Sequence, residues 1–256
     1  MISQLTQIAK IDLLLSKLAT KRFNSILPVN IEVLQKSAPQ KYDLMIGTRE
    51  LSTKSTLELE VGKKYWGVMK ENLQNGTISL SKLLKKPDLL QNSKLVSFLP
   101  EFSPSKMAEV LTSSSPKAKM KMIILEHMAN ANSKQEFMTL ANMISALNND
   151  VFTMLLNHEE KSRLFQFKKR ASSSQTSSED GIIDFYAAFE HIGPLEGVVE
   201  ISSDIRRLTL YLYYEQSLEF LKEELSHLDF EGRLFHKSEK ISPLYEPVSS
   251  LLDLKG

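Results

Sequence analysis

The sequence predicts an α+β protein in four parts: an N-terminal helix, a small β-barrel-like module, a helical middle and a C-terminal β/α sandwich module. Three observations predict this. Apolar residues recur at helical spacing near the start and again through the middle of the 256-residue chain. From Pro28 to about Ser81 the apolar period is two instead. Beyond Asp180 the two-residue alternation returns and is interrupted once by a leucine-striped helix. The divisions fall at residues 1–25, 26–82, 83–160 and 161–256.

Composition narrows the function classes. Hydrophobic residues make up 42% and charged residues 25%, the balance of a globular chain rather than a disordered one. Lysine and arginine total 32 against 31 acidic residues, giving a formal net charge of +1. A chain so nearly neutral has no global field with which to capture nucleic acid or an anionic membrane, so nucleic acid is not the expected partner. Without cysteine there can be no disulfide, thiolate zinc site, iron–sulfur cluster or cysteine nucleophile. No run reaches the ~20 apolar residues that span a bilayer. The first residues have no basic leader region, and Lys10, Asp12 and Lys17 interrupt the apolar stretch. The expectation is a cytoplasmic protein without membrane insertion.

In the first part, Ile8, Ile11, Leu15 and Leu18 form one face of an amphipathic helix from about Ser3 to Phe23. Such a helix either packs on its own domain or serves as a docking or export signal. In the second part, Ile31 and Val33, then Leu44 and Ile46, then Leu57, Leu59 and Val61, then Ile78 and Leu80 alternate with polar residues. Gly47, Val61-Gly62-Lys63-Lys64 and Asn75-Gly76 separate them as turns. Short strands at this density predict a small barrel or curled sheet, which buries one face by closing on itself.

The third part reads as helical through Met120, Ile123, Ile124, His127 and Met128, then through Phe137, Leu140, Ile144, Leu147, Phe152 and Leu155. Pro100, Pro104 and Pro116 mark boundaries. Met107, Met120, Met122, Met128, Met138, Met143 and Met154 lie here. A methionine-rich face serves either as an adaptable binding groove or, more commonly, as core filling. In the fourth part, Arg163 to Lys169 reads as a strand with Phe165 and Phe167 on one face. Ala171 to Asp180 is serine-rich and reads as a flexible loop. Strands then follow through Ile183 to Phe189, Val199 to Ile201 and Leu208 to Leu212. A helix with Leu218, Leu221, Leu225 and Leu228 on one stripe leads into a last strand through Leu234 and His236. Strand, strand, strand, helix, strand forms a sheet with one face covered.

No local motif carries catalysis. Gly62-Lys63 lacks the upstream glycine and following hydroxyl of a phosphate loop. The histidines His127, His158, His191, His227 and His236 include no pair four residues apart for zinc. The adjacent carboxylates Glu159/Glu160 and Glu223/Glu224 point in different directions and read as solvated faces. No enzyme, cofactor or metal is expected. Lys54, Lys63, Lys64, Tyr65, Trp66 and Lys70 are the residue types of an oligonucleotide-binding barrel. One alternating strand, however, cannot supply a stacking platform without neighbours.

The segment Phe189 to Leu228 resembles the C-terminal domain of flagellar hook-length control proteins. The residues that carry the likeness are Ile192-Gly193-Pro194-Leu195, Val199-Glu200-Ile201, the turn around Ser203-Asp204, Leu208-Thr209-Leu210-Tyr211-Leu212 and the leucine stripe Leu218 to Leu228. Leu44 to Trp66, with Ile46-Gly47 and Leu59-Glu60-Val61-Gly62, resembles a segment of some members. The resemblance implies a protein–protein interaction factor of flagellar, type III export. Its C-terminal domain would contact the cytosolic domain of the export gate and help switch it from hook to filament substrates. It also implies a cytoplasmic protein exported through the flagellar apparatus. The chain lacks the family's long Pro/Gln/Ser-rich measuring stretch, so a role in switching or assembly is expected rather than length measurement. Tyr211 and Tyr213, opposite the leucines of their strand, are the candidate partner-binding residues. Alternative readings are an unrelated cytoplasmic scaffold or adaptor, and a nucleic-acid-binding β module.

Overall fold

The computed structural model describes residues 27–72, 77–91, 100, 102–158, 161–170, 181–202, 206–225 and 231–246. The expected helix at 1–25, the Asn75-Gly76 turn and the serine-rich stretch 171–180 lie outside them. Strands account for 45% of the structure and helices for 27%, so the chain is mostly β, built on two sheets rather than on alternating helical and β parts.

The first sheet contains β1 (Val29–Ala38), β2 (Lys41–Ile46), β3 (Arg49–Lys54), β4 (Lys64–Asn72) and β5 (Thr77–Lys85). Its order is β3-β2-β1-β4-β5, antiparallel at every pair. Gly47, at φ 61°, opens the two-residue connection between β2 and β3, where a positive φ suits glycine. The expected barrel is not closed. β3 and β5 approach each other across a cleft but are the two edges of an open, curled sheet.

The expected strand through Leu57, Leu59 and Val61 is instead a loop. Leu57 and Val61 are 50% and 54% exposed, while Leu59 alone plugs the small core of Ile31, Val33, Tyr42, Leu44 and Tyr65. Two buried hydroxyls hold this loop. The Leu59 amide donates to Tyr42 Oη at 3.3 Å and the Glu60 amide to Tyr65 Oη at 3.1 Å. Once the loop turns at Gly62, its backbone bonds back to Val33.

Among the described residues four helices follow: α1 (Asp88–Gln91), α2 (Pro104–Leu111), α3 (Pro116–Ala129) and α4 (Lys134–Asn148). Ser133 caps α4 by accepting from the Glu136 amide, and Glu136 reaches back to the Asn132 amide. The expected helical part, residues 83–160, is nevertheless no separate unit. It begins inside β5 and takes in all of β6 (Phe152–His158), where the spacing of Phe152 and Leu155 suggests helix. Met107, Met120, Met143 and Met154 fill the same core as the second sheet, so these four methionines are packing rather than a binding groove.

The second sheet adds β7 (Lys161–Lys169), β8 (Gly181–Phe189), β9 (Gly193–Ile201), β10 (Arg206–Leu212) and β11 (Glu231–His236), in the order β11-β10-β9-β8-β7-β6. β10 and β11 are parallel, joined by the crossover helix α5 (Glu215–Leu225), and the remaining pairs are antiparallel. Gly197 is required in the centre. A Cβ there would lie 2.5 Å from the Phe185 ring and 2.7 Å from the Thr209 carbonyl.

Alternation along β4 couples the two sheets. Tyr65 turns into the small core, whereas Trp66 and Val68 turn into the core of the second sheet. The Trp66 indole donates to the Phe189 carbonyl at 2.9 Å, and the Tyr214 hydroxyl to the Lys82 carbonyl at 3.0 Å. Lys86 lies 5.3 Å from the Trp66 ring centre and donates to Asn30, whose amide donates to Glu190 at 2.7 Å. Burial pushes the Lys86 ammonium down to about 8, opposed by Glu190 and assisted by Lys64.

Candidate partner-binding face

Along β10 the leucines Leu208, Leu210 and Leu212 are buried, which leaves Arg207, Thr209 and Tyr211 on the outer face. The register with β9 and β11 arranges that face in rows. Arg207 stands between Glu200 and Glu231, Thr209 between Val198 and Arg233, and Tyr211 between Glu196 and Phe235. The first row is ionic: Arg207 reaches Glu200 at 3.2 Å and Glu231 at 3.0 Å, and Arg233 also binds Glu231. The Arg207 contact, then that of Arg233, holds the Glu231 carboxyl below its usual range, and Glu231 and Glu200 raise the Arg207 guanidinium. In the third row the Tyr211 and Phe235 rings stack with centroids 5.5 Å apart at 25°. Phe235 is 46% exposed. Lys237 closes the corner on Glu196 at 2.6 Å.

Of the two tyrosines read from the sequence, this face contains Tyr211 only. β10 ends at Leu212, and Tyr213 bends away to meet Tyr214 edge-on at 4.9 Å, packed against the core. Its carbonyl lies 3.1 Å from His236 Nε2. Phe235 and Arg207 are the members that sequence reasoning missed. Phe235 could have been found from the parallel crossover, which puts the odd residues of β11 beside those of β10.

The other aromatic pair singled out from the sequence is closed off. Trp66 is 1% and Tyr65 5% exposed, so neither ring face is available for stacking a base. Beside Trp66 a cleft of about 540 Å³ runs between the sheets. Lys64 and Lys86 in its wall face Glu32 and Glu190, so it presents no net charge to an ion. Among the described residues no cluster of three or more histidine, aspartate or glutamate side chains could hold a metal. Among them, too, no helix is long and apolar enough to cross a membrane.

The chain matches no family model, no curated protein and no solved structure. The outer face of β9, β10 and β11 is therefore read from its own geometry: an aromatic pair set beside a neutralised ionic ladder.

Proposed function

We propose that the chain is a non-enzymatic protein–protein interaction factor that engages its partner through the outer face of β9, β10 and β11. The observation that carries this reading is the Tyr211–Phe235 stack. Aromatic side chains offer large contact area at low entropic cost and are enriched where protein interfaces concentrate their energy. The ionic row beside them suits the polar rim of such an interface, where charges set orientation more than affinity. The resemblance of Phe189 to Leu228 to hook-length control proteins supports a partner in flagellar, type III export. The cytosolic domain of the export gate is then the partner, and substrate switching or assembly the role.

The test is binding of the purified chain to that domain by calorimetry, with wild type, Tyr211→Ser/Phe235→Ser and Tyr213→Ser compared at equal circular dichroism. The double variant should bind at least about tenfold more weakly. A folded double variant with wild-type affinity removes the face, and a wild-type chain that never binds the gate removes the flagellar assignment. Added salt should weaken the complex only modestly. A steep loss with salt, seen with oligonucleotide instead, supports the nucleic-acid alternative.

A further inference from the structure

The other half of the same sheet face is covered by a segment that sequence patterning did not mark as structure. Residues 238–246, bent at Glu239 and Leu244, run across β7 and β8 without joining the sheet. The last backbone bond into them is from the Lys237 amide to the Leu212 carbonyl. Beyond it, among the described residues, the segment has no backbone–backbone hydrogen bond. Side chains hold it instead, with Leu244 packed partly buried against the main core. Ile241, 2% exposed, enters the main core. Four residues later the carboxamide of Gln166, 1% exposed, grips the backbone of Tyr245 from both sides: Nε2 donates to its carbonyl at 2.9 Å, and Oε1 accepts its amide at 3.1 Å. Between these contacts Ser242 is exposed, and Ser238, Glu239 and Lys240 before them are exposed as well.

This manner of holding a chain is that of a receptor on a peptide. A buried glutamine satisfied by two main-chain groups reads a backbone and not a side chain. The apolar contacts of Ile241 and Leu244 then supply the selectivity, as in recognition modes where main-chain bonds give affinity and pockets give choice. The fit is also incomplete. A cavity of about 190 Å³ remains between the segment and the groove walls formed by Trp66, Lys86, Leu164 and Tyr186.

We propose that the groove over β7 and β8 is a peptide-binding site and that residues 238–246 are its displaceable resident ligand. The partner it fits is a peptide segment with aliphatic residues at the Ile241 and Leu244 positions, followed by a residue whose backbone Gln166 grips. This site is separate from the Tyr211–Phe235 face and does not depend on the function proposed for it.

Trp66, the only tryptophan, borders the groove and reports its occupancy. A chain ending at Lys237 should bind a synthetic peptide of residues 238–246 saturably, read by Trp66 emission. Replacing Gln166 by Leu in that chain, or Ile241 by Asp in the peptide, should weaken binding at least about tenfold. The full chain, already occupied, should show no binding at the same concentrations. A shortened chain that folds and does not bind the peptide overturns the proposal, as does equal binding to both chains. If the shortened chain does not fold, the exposed Ser238 to Lys240 are replaced by a protease site in the full chain and cut under native conditions. Excess peptide should then release the severed tail on gel filtration, and a tail that stays bound also overturns the proposal.

Discussion

The outer face of the six-stranded sheet has two halves. Over the covered stretch of β7 and β8 it carries Leu164, Gln166, Tyr186 and Ala188, all at most 1% exposed, beneath α1, Trp66 and the 238–246 segment, with the charged Lys168 and Asp184 beyond the cover. Over β9, β10 and β11 it carries Glu196, Glu200, Arg207, Glu231 and Arg233, each paired with an opposite charge. One pleated surface is thus neutral where chain covers it and ionic where water does. A charge that must be buried needs a partner and still loses solvation, whereas a surface pair costs little. Against that pattern Lys86 is the charged exception on the covered side, and the Tyr211–Phe235 stack, with Val198, is the apolar exception on the open side.

The largest effect should come from removing the joint that makes the covered half. Trp66→Ala leaves a cavity between the sheets and an orphaned Phe189 carbonyl. It should cost about 3–5 kcal/mol in denaturant-induced unfolding. A loss below 1 kcal/mol would mean that the sheets do not depend on this contact.

The charged exception should be visible in pH. Because the folded Lys86 titrates at about 8 against 10.5 for the unfolded chain, the unfolded state binds more protons between those values. Stability attributable to Lys86 should therefore rise with pH across about 8 to 10.5, by up to about 3 kcal/mol. Other lysines and tyrosines titrate there too, so the quantity to measure is the difference between wild type and Lys86→Met. A difference that stays flat from pH 7 to 11 refutes the buried ammonium.

On the boundary between the halves, Gly197→Ala forces a methyl against the Phe185 ring and the Thr209 carbonyl. The expected loss is about 1–3 kcal/mol by thermal melting, and a neutral result would show that β9 can shift. The smallest effects belong to the open half. Tyr211→Ser/Phe235→Ser should lower stability by about 1 kcal/mol, with Arg207→Ala below that. A loss comparable to that of Trp66→Ala would make the stack part of the fold and remove its claim as an interface.

Much of this contrast was legible in the residues, and the exceptions have physical causes. Leu208, Leu210 and Leu212 alternate with polar residues because only one face of β10 is buried, so both the strand and its inward side could be read. β7 was legible in the same way, with Phe165 and Phe167 alternating onto one face. β3 escaped because Arg49–Lys54 is an edge strand with charged ends and little burial, so its strand state is set by pairing with β2 and not by a hydrophobic pattern. The loop at 55–63 deceived in the opposite sense. Leu57, Leu59 and Val61 alternate, yet only Leu59 is buried, because tyrosine hydroxyls rather than a neighbouring strand receive the Leu59 and Glu60 amides. In β6, the three-residue spacing of Phe152 and Leu155 imitates a helix because those residues lie on opposite faces of a strand buried on both. At the open face, Tyr211 was within reach of alternation alone, whereas Phe235 needed the direction of β11. The 238–246 segment gives no periodic signal, since it is held by Ile241, Leu244 and the Gln166 carboxamide rather than by a strand ladder.

The bond between Trp66 and the Phe189 carbonyl joins positions 123 residues apart, and that between Tyr214 and Lys82 spans 132. Most strand pairs of either sheet, by contrast, are neighbours in the chain. Local hairpins close fast and distant pairings slowly, so each sheet should assemble before the two meet. During synthesis the ribosome releases β4 and β5 well before β8 exists. For that interval the apolar side of the first sheet, Trp66 and Val68, has no mate and is an adhesive surface that only the second half of the protein can quench.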